Sequence, residues 1–482
     1  MTERTAETGR FGEFLGRVGR LLDSTLEAGP SDAYRERDRW ESLAGSLPSE
    51  GIGADGVIAE LEELVIPFGN RMSDPGFWGW VTVGPTTIPM VAAAAAHVAA
   101  PQRYGLHAFN LLEEQSLDWL AELCGLAGMK GVYSSGGSVA NLLALGAARQ
   151  SALTKLGIDP AADGVDGRSV SIYASAEVHH TVTRAAGVLG LGRRAMRTVP
   201  VDDRQRMRPD GLTEMLEDDI SAGVVPIAVV ATAGTTNTGA IDPLAAVGRI
   251  ARERGVWFHV DGAYGLVGSL DERVADRFEG LELADSAIVD PHKWLGAPVG
   301  VAATFVRDRG VLYDAFTQEP ADYLEGSFVT DGEIEATFDS MGVPYSEFGV
   351  ELSSPSRGVM VWAILRELGV EGIRHRVVTD NDFAKHVTER ARQHPDLEPL
   401  IEPELSIACF RYTDAGISDL DLVNRELVSE IRRRSPFTVS STVVDGKFAI
   451  RPCFINSRTT LAHVDAFVDQ VTELGSTLTE SH

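Results

Sequence analysis

The sequence predicts an α/β fold, with a mostly parallel central sheet and helices on both faces over residues 86–370. An N-terminal helical segment (1–85) precedes it and a small C-terminal α+β domain (371–482) follows. Three observations carry this reading. Between Val132 and about Val306, short apolar runs alternate with segments of helical periodicity. The runs are apolar throughout instead of at every second residue, the pattern of strands covered on both faces. Polar, glycine-containing motifs follow those runs, and parallel open sheets bind ligands at the carboxyl ends of their strands.

Each element has a local reason. Phe11, Phe14, Leu15, Val18, Leu21 and Leu22 share one helical face, and Val57, Leu61, Leu64 and Val65 form a second stripe. Pro48-Ser49-Glu50-Gly51 breaks the two. Such an arm cannot bury both faces alone, so it is expected to wrap the main domain or a partner subunit. The stretch from Pro75 to Pro85, rich in aromatics and glycine, reads either as a packing plug or as the wall of an apolar pocket. Helices are expected over Ile88–Ala100 and Leu111–Leu126. Strands are expected at Ser169–Ala174, Val224–Ala231, Val256–Val260, Ser286–Val289 and Gly300–Val306, with helices from about His179 and over Pro243–Arg254. Residues 313–356 have weak periodicity and read as a lid. Beyond the Val359–Leu368 helix, helices at Asn381–Arg392, Leu420–Arg434 and Leu461–Leu474 alternate with strands at Leu405–Tyr412 and Phe448–Ile455.

Composition narrows the function. The formal net charge of −27 argues against a nucleic-acid or anionic-membrane partner, since both need basic surface. Cys124, Cys409 and Cys453 are too widely spaced for a disulfide framework or a zinc site, and they fit the reducing cytoplasm. No metal is expected. The first residues lack the apolar core of a signal peptide, and Ile88–Ala100 is too short to span a bilayer.

The chemistry concentrates in four motifs and one lysine. Only five lysines occur, and Lys293 follows an apolar run and an Asp-Pro stop, between His292 and Trp294. A free lysine titrates at about 10.4. Burial disfavours the ammonium and yields an amine able to condense with a carbonyl. The plainer alternative is a lysine that snorkels beside a core tryptophan. Ser135-Gly136-Gly137-Ser138 opens a helix, where hydroxyl and backbone N–H groups suit a phosphate. His179 lies at a strand-to-helix junction and could stack on a planar ring, although a lone histidine is more often structural. Gly234-Thr235-Thr236 sets small hydroxyl residues after a buried strand. Asp261 ends the apolar run Trp257–Val260, where an unpaired carboxylate is costly and calls for a buried cation.

A phosphate cradle, a stacking histidine, a buried aspartate and a reactive lysine on successive strand ends are the parts that hold pyridoxal 5'-phosphate (PLP). In this the chain resembles the group II PLP-dependent amino-acid decarboxylases of fold type I, from about residue 40 onward. Ser-Gly-Gly-Ser, His179-x-Thr, Gly-Thr-Thr-x-x-Gly-Ala-x-Asp, His-Val-Asp-x-Ala-Tyr-Gly and Asp-x-His-Lys-Trp-Leu occur in the family's order. The resemblance implies that Lys293 is the Schiff-base lysine and Asp261 the partner of the ring nitrogen. It implies His179 on one face of the ring and Ala263 on the other, Thr236 beside the cofactor, and Gly137, Ser138 and His292 at the phosphate. Tyr323 would be the proton donor of a mobile loop, and Trp80, Thr82 and Val83 the substrate wall. Arg451–Thr460 looks like the family's C-terminal strand. The resemblance also implies a homodimer with a shared active site.

The implied activity is α-decarboxylation of an L-amino acid, aromatic or bulky by the lean of Phe77, Trp78 and Trp80. Departures stand at Val139, where the family usually has glutamate, and at Ser353–Ser356, where it carries an arginine-rich run. They motivate a rival outcome on the same cofactor: oxygen-dependent conversion to an aldehyde, or β-elimination from a cysteine conjugate. A binding protein on a decayed fold, or a nucleotide enzyme, is the alternative of a different class.

Overall fold

The computed structural model describes residues 10–27, 36–103, 107–317, 342–414, 416 and 418–479. In chain order the first strands are β1 (Phe77–Trp78), β2 (Lys130–Ser134), β3 (Val170–Ser175), β4 (Met196–Val199), β5 (Val225–Thr232) and β6 (Trp257–Asp261). They are followed by β7 (Ser286–Val289), β8 (Ala302–Val306), β9 (Leu397–Pro399), β10 (Phe410–Tyr412), β11 (Thr438–Val444) and β12 (Lys447–Arg451). The central sheet has the order β2-β8-β7-β6-β5-β3-β4. Its strands from β4 to β7 run parallel, and β8 is antiparallel to both β7 and β2. Every residue of β3, β7 and β8 is buried, which is why those runs are mostly apolar on both faces, with only small hydroxyl residues (Ser171, Ser175, Ser286 and Thr304) between.

The smaller sheet, β1-β11-β12-β10-β9, corrects several expectations. The aromatic stretch splits in two. Phe77 and Trp78 form β1, parallel to β11, and Trp78 is fully buried against Phe437, Phe454 and Phe467. Trp78 is therefore core of the small sheet, and Phe77 is buried in β1 against Trp80; neither is exposed to give a lean toward an aromatic substrate. The hairpin β11–β12 was not anticipated. Its turn, Asp445-Gly446, has φ of 49° and 78°, the left-handed pair that an Asp-Gly turn accepts. The strand expected over Leu405–Tyr412 is regular only as β10; before it the pairing with the chain after β12 is kept by a single antiparallel bridge, Ile407 with Cys453, while Ser406 N–H goes to the Tyr264 hydroxyl. Pro452, which has no N–H, ends the strand expected to reach Ile455.

The stretch Gly358–Gln393 is helical on both sides of a kink at Gly369 (φ 60°, ψ 179°): the helix expected at Val359–Leu368 ends where expected, and the one expected at Asn381–Arg392 begins earlier, just after the kink. Its earlier apolar residues, such as Ile364 and Val377, pack with the large sheet, and later ones, such as Phe383 and Val387, with the small one. Between them Asp380 is buried and accepts a 2.8 Å hydrogen bond from Trp294 Nε1, beside Lys293 in sequence. Burial pushes its carboxyl up to about 8.

The linkage sign is definite. Between about pH 4, where an unfolded aspartate ionises, and pH 8, the folded chain holds a proton the unfolded chain has lost, so this group lowers stability as pH rises. Asp380→Asn keeps an oxygen for Trp294 and removes that slope. Thermal melts should show the variant gaining on the parent by a few degrees from pH 5 to pH 8; a difference independent of pH would contradict the assignment.

Candidate active site

A cavity of about 540 Å³ opens at the carboxyl ends of β3, β5, β6 and β7, and the small sheet closes its other side. Lys293, His179, Asp261, Gly137, Ser138, Thr236, Ala263, His292 and Trp80 all line it. The topology explains the convergence: each residue from the large sheet stands on a strand end or on the turn that follows one, except Trp80, which comes after β1.

Lys293 does not sit in the apolar setting expected of it. Asp290, the residue after β7, is buried and holds Nζ at 3.2 Å through Oδ2. The second oxygen of Asp290 is buried with no hydrogen-bond partner among the described residues. The same carboxylate presses on the glycine turn: a Cβ at Gly137 would lie 2.6 Å from Asp290 Oδ2. Gly136 has φ 154°, a conformation closed to residues with a side chain, and it opens the helix Gly137–Thr154. His292 turns Nδ1 to the Val301 carbonyl at 3.0 Å.

Asp261 ends β6 and is nearly fully buried. Its Oδ2 accepts from Asn141 Nδ2 at 3.0 Å and its Oδ1 from the Ala263 N–H at 3.2 Å. No side-chain cation completes a salt bridge with it among the described residues. His179 caps the helix His180–Val188, with Nδ1 2.8 Å from Thr181 Oγ1. Burial pushes the His179 imidazole below its usual range, so it is neutral near pH 7.

The threonine-rich turn after β5 has two separate duties. Asp242 fixes its base, accepting from Thr232 N–H (2.7 Å) and Met207 N–H (2.6 Å). The Thr235 and Thr238 hydroxyls bond each other, 3.0 Å apart, inside the turn. Thr236 is left to face the cavity, and its carbonyl is taken by Arg451 Nη2. Arg451 is buried at the end of β12 and also donates to the carbonyls of Asn237 (3.0 Å) and Trp80 (2.8 Å). It thereby ties β12 to two cavity walls.

Some expectations are not met. Val83 is buried away from the cavity, and Thr82 turns to Met72; Val81 lines the cavity in their place. Trp80 and Val81 form a turn, with Trp80 at φ 53°, and the chain leaves the cavity directly after it. Tyr323 lies outside the described residues. The Ser353–Ser356 run does not reach the cavity. Arg357 there binds Glu351, Ser354 and the Gly300 carbonyl, and so braces the segment next to Val299, which does line it. Asn141, Asp290 and Arg451 were missed as site residues. The signals were present: Asn141 is one helical turn after Gly137, and Arg451 is a charge closing an apolar run.

These residues fit PLP. A glycine cradle that a single Cβ would fill stands at a helix N-terminus, a carboxylate without a cation faces the cavity, and a lysine amine reaches into it. No cluster of His, Cys, Asp and Glu suited to a metal occurs among the described residues.

Comparison with known proteins agrees. Residues 41–413 match the pyridoxal-dependent decarboxylase conserved domain. The chain is 31% identical to an aromatic-L-amino-acid decarboxylase of Bacillus atrophaeus, over 72% of this chain and 70% of that protein. Its structure resembles that of Catharanthus roseus tryptophan decarboxylase in complex with L-tryptophan, with a TM-score of 0.87, 24% identity and coverage of 98% and 100%. The Rhodiola rosea 4-hydroxyphenylacetaldehyde synthase has the same fold, with a TM-score of 0.85, 20% identity and coverage of 99% and 100%.

The cradle gives a double-mutant test. Gly137→Ala should weaken PLP binding roughly tenfold, or about 1.4 kcal/mol, in a fluorescence titration. If the contact with Asp290 causes the loss, the same change on an Asp290→Ala background should cost less than about threefold. Equal losses in both backgrounds would remove Asp290 from the account.

Proposed function

The chain belongs to the pyridoxal-dependent decarboxylase family, and from that premise we propose that it removes the α-carboxylate of an aromatic or bulky L-amino acid. The observation that carries the reading is the convergence of Lys293, Asp261, His179 and the Gly137 cradle on one cavity. When bound, PLP supplies an electron sink for the pair left behind as carbon dioxide departs.

The protein's own residues do the rest. Lys293 would hold the cofactor through its side-chain amine, whose place a substrate amine can take. Asp261 keeps a proton on the ring nitrogen. Gly137, Ser138 and His292 seat the phosphate, with Thr236 at the cofactor's edge, while His179 and Ala263 bound the ring. The walls orient the substrate so that the bond to its carboxylate is the one that breaks. A general acid then delivers a proton to the α-carbon; we assign this to Tyr323.

The lean toward an aromatic or bulky side chain rests on three supports. Trp80, Val81 and Val299 give the cavity apolar wall. The Arg451 guanidinium is committed to three backbone carbonyls, so it is poorly placed to meet an acidic side chain. Relatives named for aromatic substrates stand among the matches.

We also propose a cytoplasmic homodimer that shares its active site. At the cavity mouth Trp80 is 58% and Val299 70% exposed, and Ile88, Val91 and Val98 expose a further apolar strip nearby in sequence. All three cysteines are free and buried, in keeping with a reducing compartment. No helix among the described residues is long and apolar enough to cross a membrane.

Product analysis tests the reaction. PLP-loaded protein is offered a panel of L-amino acids and S-substituted cysteines, with and without oxygen, and products are read by mass spectrometry. Amine and carbon dioxide independent of oxygen are expected. Aldehyde with peroxide, or thiol with pyruvate and ammonia, would replace decarboxylation with the rival chemistry. Lys293→Ala should show neither turnover nor covalent PLP by intact mass. Trp80→Ala should lower kcat/KM for tryptophan and tyrosine by roughly 10–100-fold, the worth of one buried aromatic contact, and leave PLP affinity within about twofold.

A further inference from the structure

Behind the cavity lies a chain of buried polar groups that the reaction as described does not use. His259 is fully buried on β6, two residues before Asp261 and so on the same face of the strand. Its Nε2 lies 3.0 Å from Asn141 Oδ1 and its Nδ1 2.9 Å from Ser286 Oγ. Trp257 Nε1 donates to that same Ser286 oxygen at 2.8 Å. On the other side Asn141 Nδ2 reaches Asp261 Oδ2 at 3.0 Å and Thr181 Oγ1 at 3.2 Å, and Thr181 Oγ1 is 2.8 Å from His179 Nδ1.

The proton directions follow from chemistry. A carboxylate only accepts, so the Asn141 amino group must face Asp261 and its oxygen must face His259. His259 Nε2 then carries the proton. Burial pushes the His259 imidazole down to about 4, so it is neutral near pH 7 and its Nδ1 is bare, ready to accept from Ser286. The second Asn141 proton goes to Thr181 Oγ1. The remaining partner of that hydroxyl among the described residues is His179 Nδ1, which accepts. His179 is left with its proton on Nε2.

We propose that His259, which does not line the cavity, is a positioning residue that acts through Asn141 on two site groups at once, holding Asp261 as a pure acceptor and His179 as the Nε2–H tautomer. The inference rests on the PLP reading above and adds a residue to it. The helix Gly137–Thr154 makes the arrangement economical: Gly137 serves the phosphate cradle, and Asn141, one turn later, serves the ring's carboxylate. Without a donor at 259 the Asn141 amide is free to turn its oxygen toward Asp261, setting two acceptors face to face.

Nitrogen-15 NMR of histidine-labelled protein reads the tautomers directly, with His259→Gln and His179→Gln used for assignment. Between pH 6 and pH 8, His259 and His179 should each show Nε2–H and a bare Nδ1. A proton on His259 Nδ1 would overturn the proposal. The measurement is made on both cofactor-free and PLP-loaded protein. A wrong tautomer with amine formation intact therefore sinks the relay alone, and the right tautomer without decarboxylation sinks the reaction alone. Variants supply the second arm. Outer partners of metal ligands are worth about 10–100-fold, and His259→Leu should lose on the order of tenfold in kcat and shift the pH dependence of the bound-PLP visible band. His259→Gln, which keeps an N–H for Asn141, should recover most of both. Losses equal in the two variants and tracking only their melting temperatures would reduce His259 to packing. If His259→Leu does not fold, the wild-type tautomers decide.

Discussion

A carboxylate closed in at the end of β6 sets the terms for the site. Removing Asp261 from water is costly, and the structure offsets only part of that cost, with one amide hydrogen bond from Asn141 and one from the Ala263 backbone. Two neutral donors stabilise the negative charge without neutralising it. What remains is a site with an unmet demand for a proton-bearing cation, open on the cavity side. That demand suits the ring nitrogen proposed to meet it, kept protonated. It also explains why polar residues run back through an otherwise apolar sheet: Asn141 must be held with its amino group forward, and His259 and Ser286 are the groups behind it.

The opposite charge shows the same logic at the small sheet. Arg451 is buried without a carboxylate partner in the cavity wall, yet its three nitrogens all reach backbone carbonyls, from Thr236, Asn237 and Trp80. Carbonyl dipoles on two walls share one guanidinium, which works only while β12, the turn after β5 and the end of β1 keep their relative places. A lysine, a point charge with a rotating head, could not span three fixed acceptors in this way. The second buried acid, Asp290, is in a different position: it has a cation, Lys293, and it touches the glycine turn. Two aspartates at neighbouring strand ends thus meet different partners, and the environment of each, more than its residue type, separates their roles.

Much of this was legible in the sequence because it is local. Apolar runs covered on both faces, the Gly136-Gly137 turn, Asp261 at a run's end and Lys293 after Asp-Pro are all patterns of adjacent residues, and topology gathers strand ends without further instruction. The resemblance to the decarboxylases then assigned roles to them. What stayed hidden depends on distant pairing. Nothing near Phe77 and Trp78 says that they add a strand to a sheet formed some 360 residues later, so buried aromatics were counted toward an aromatic substrate. Lys293 looked apolar in its surroundings because Asp290, three residues earlier, reads in sequence as a strand stop and not as an ion-pair partner.

The same division explains why chemistry was easier to read than selectivity. Trp80 has φ 53°, a left-handed conformation that costs a bulky residue about 1–3 kcal/mol. It is held there from the small sheet, by Ser440 Oγ on its N–H at 2.5 Å and by Arg451 on its carbonyl. The cofactor groups stand on the large sheet, fixed by the strand order. Trp80, the side chain proposed to face the substrate, is instead held under strain by residues of β11 and β12. A substitution at Ser440 could release Trp80 without touching Lys293, Asp261 or the glycine cradle. Selectivity can therefore change while the decarboxylation machinery stays as it is, and the residues that govern it are those the local sequence pattern marks least.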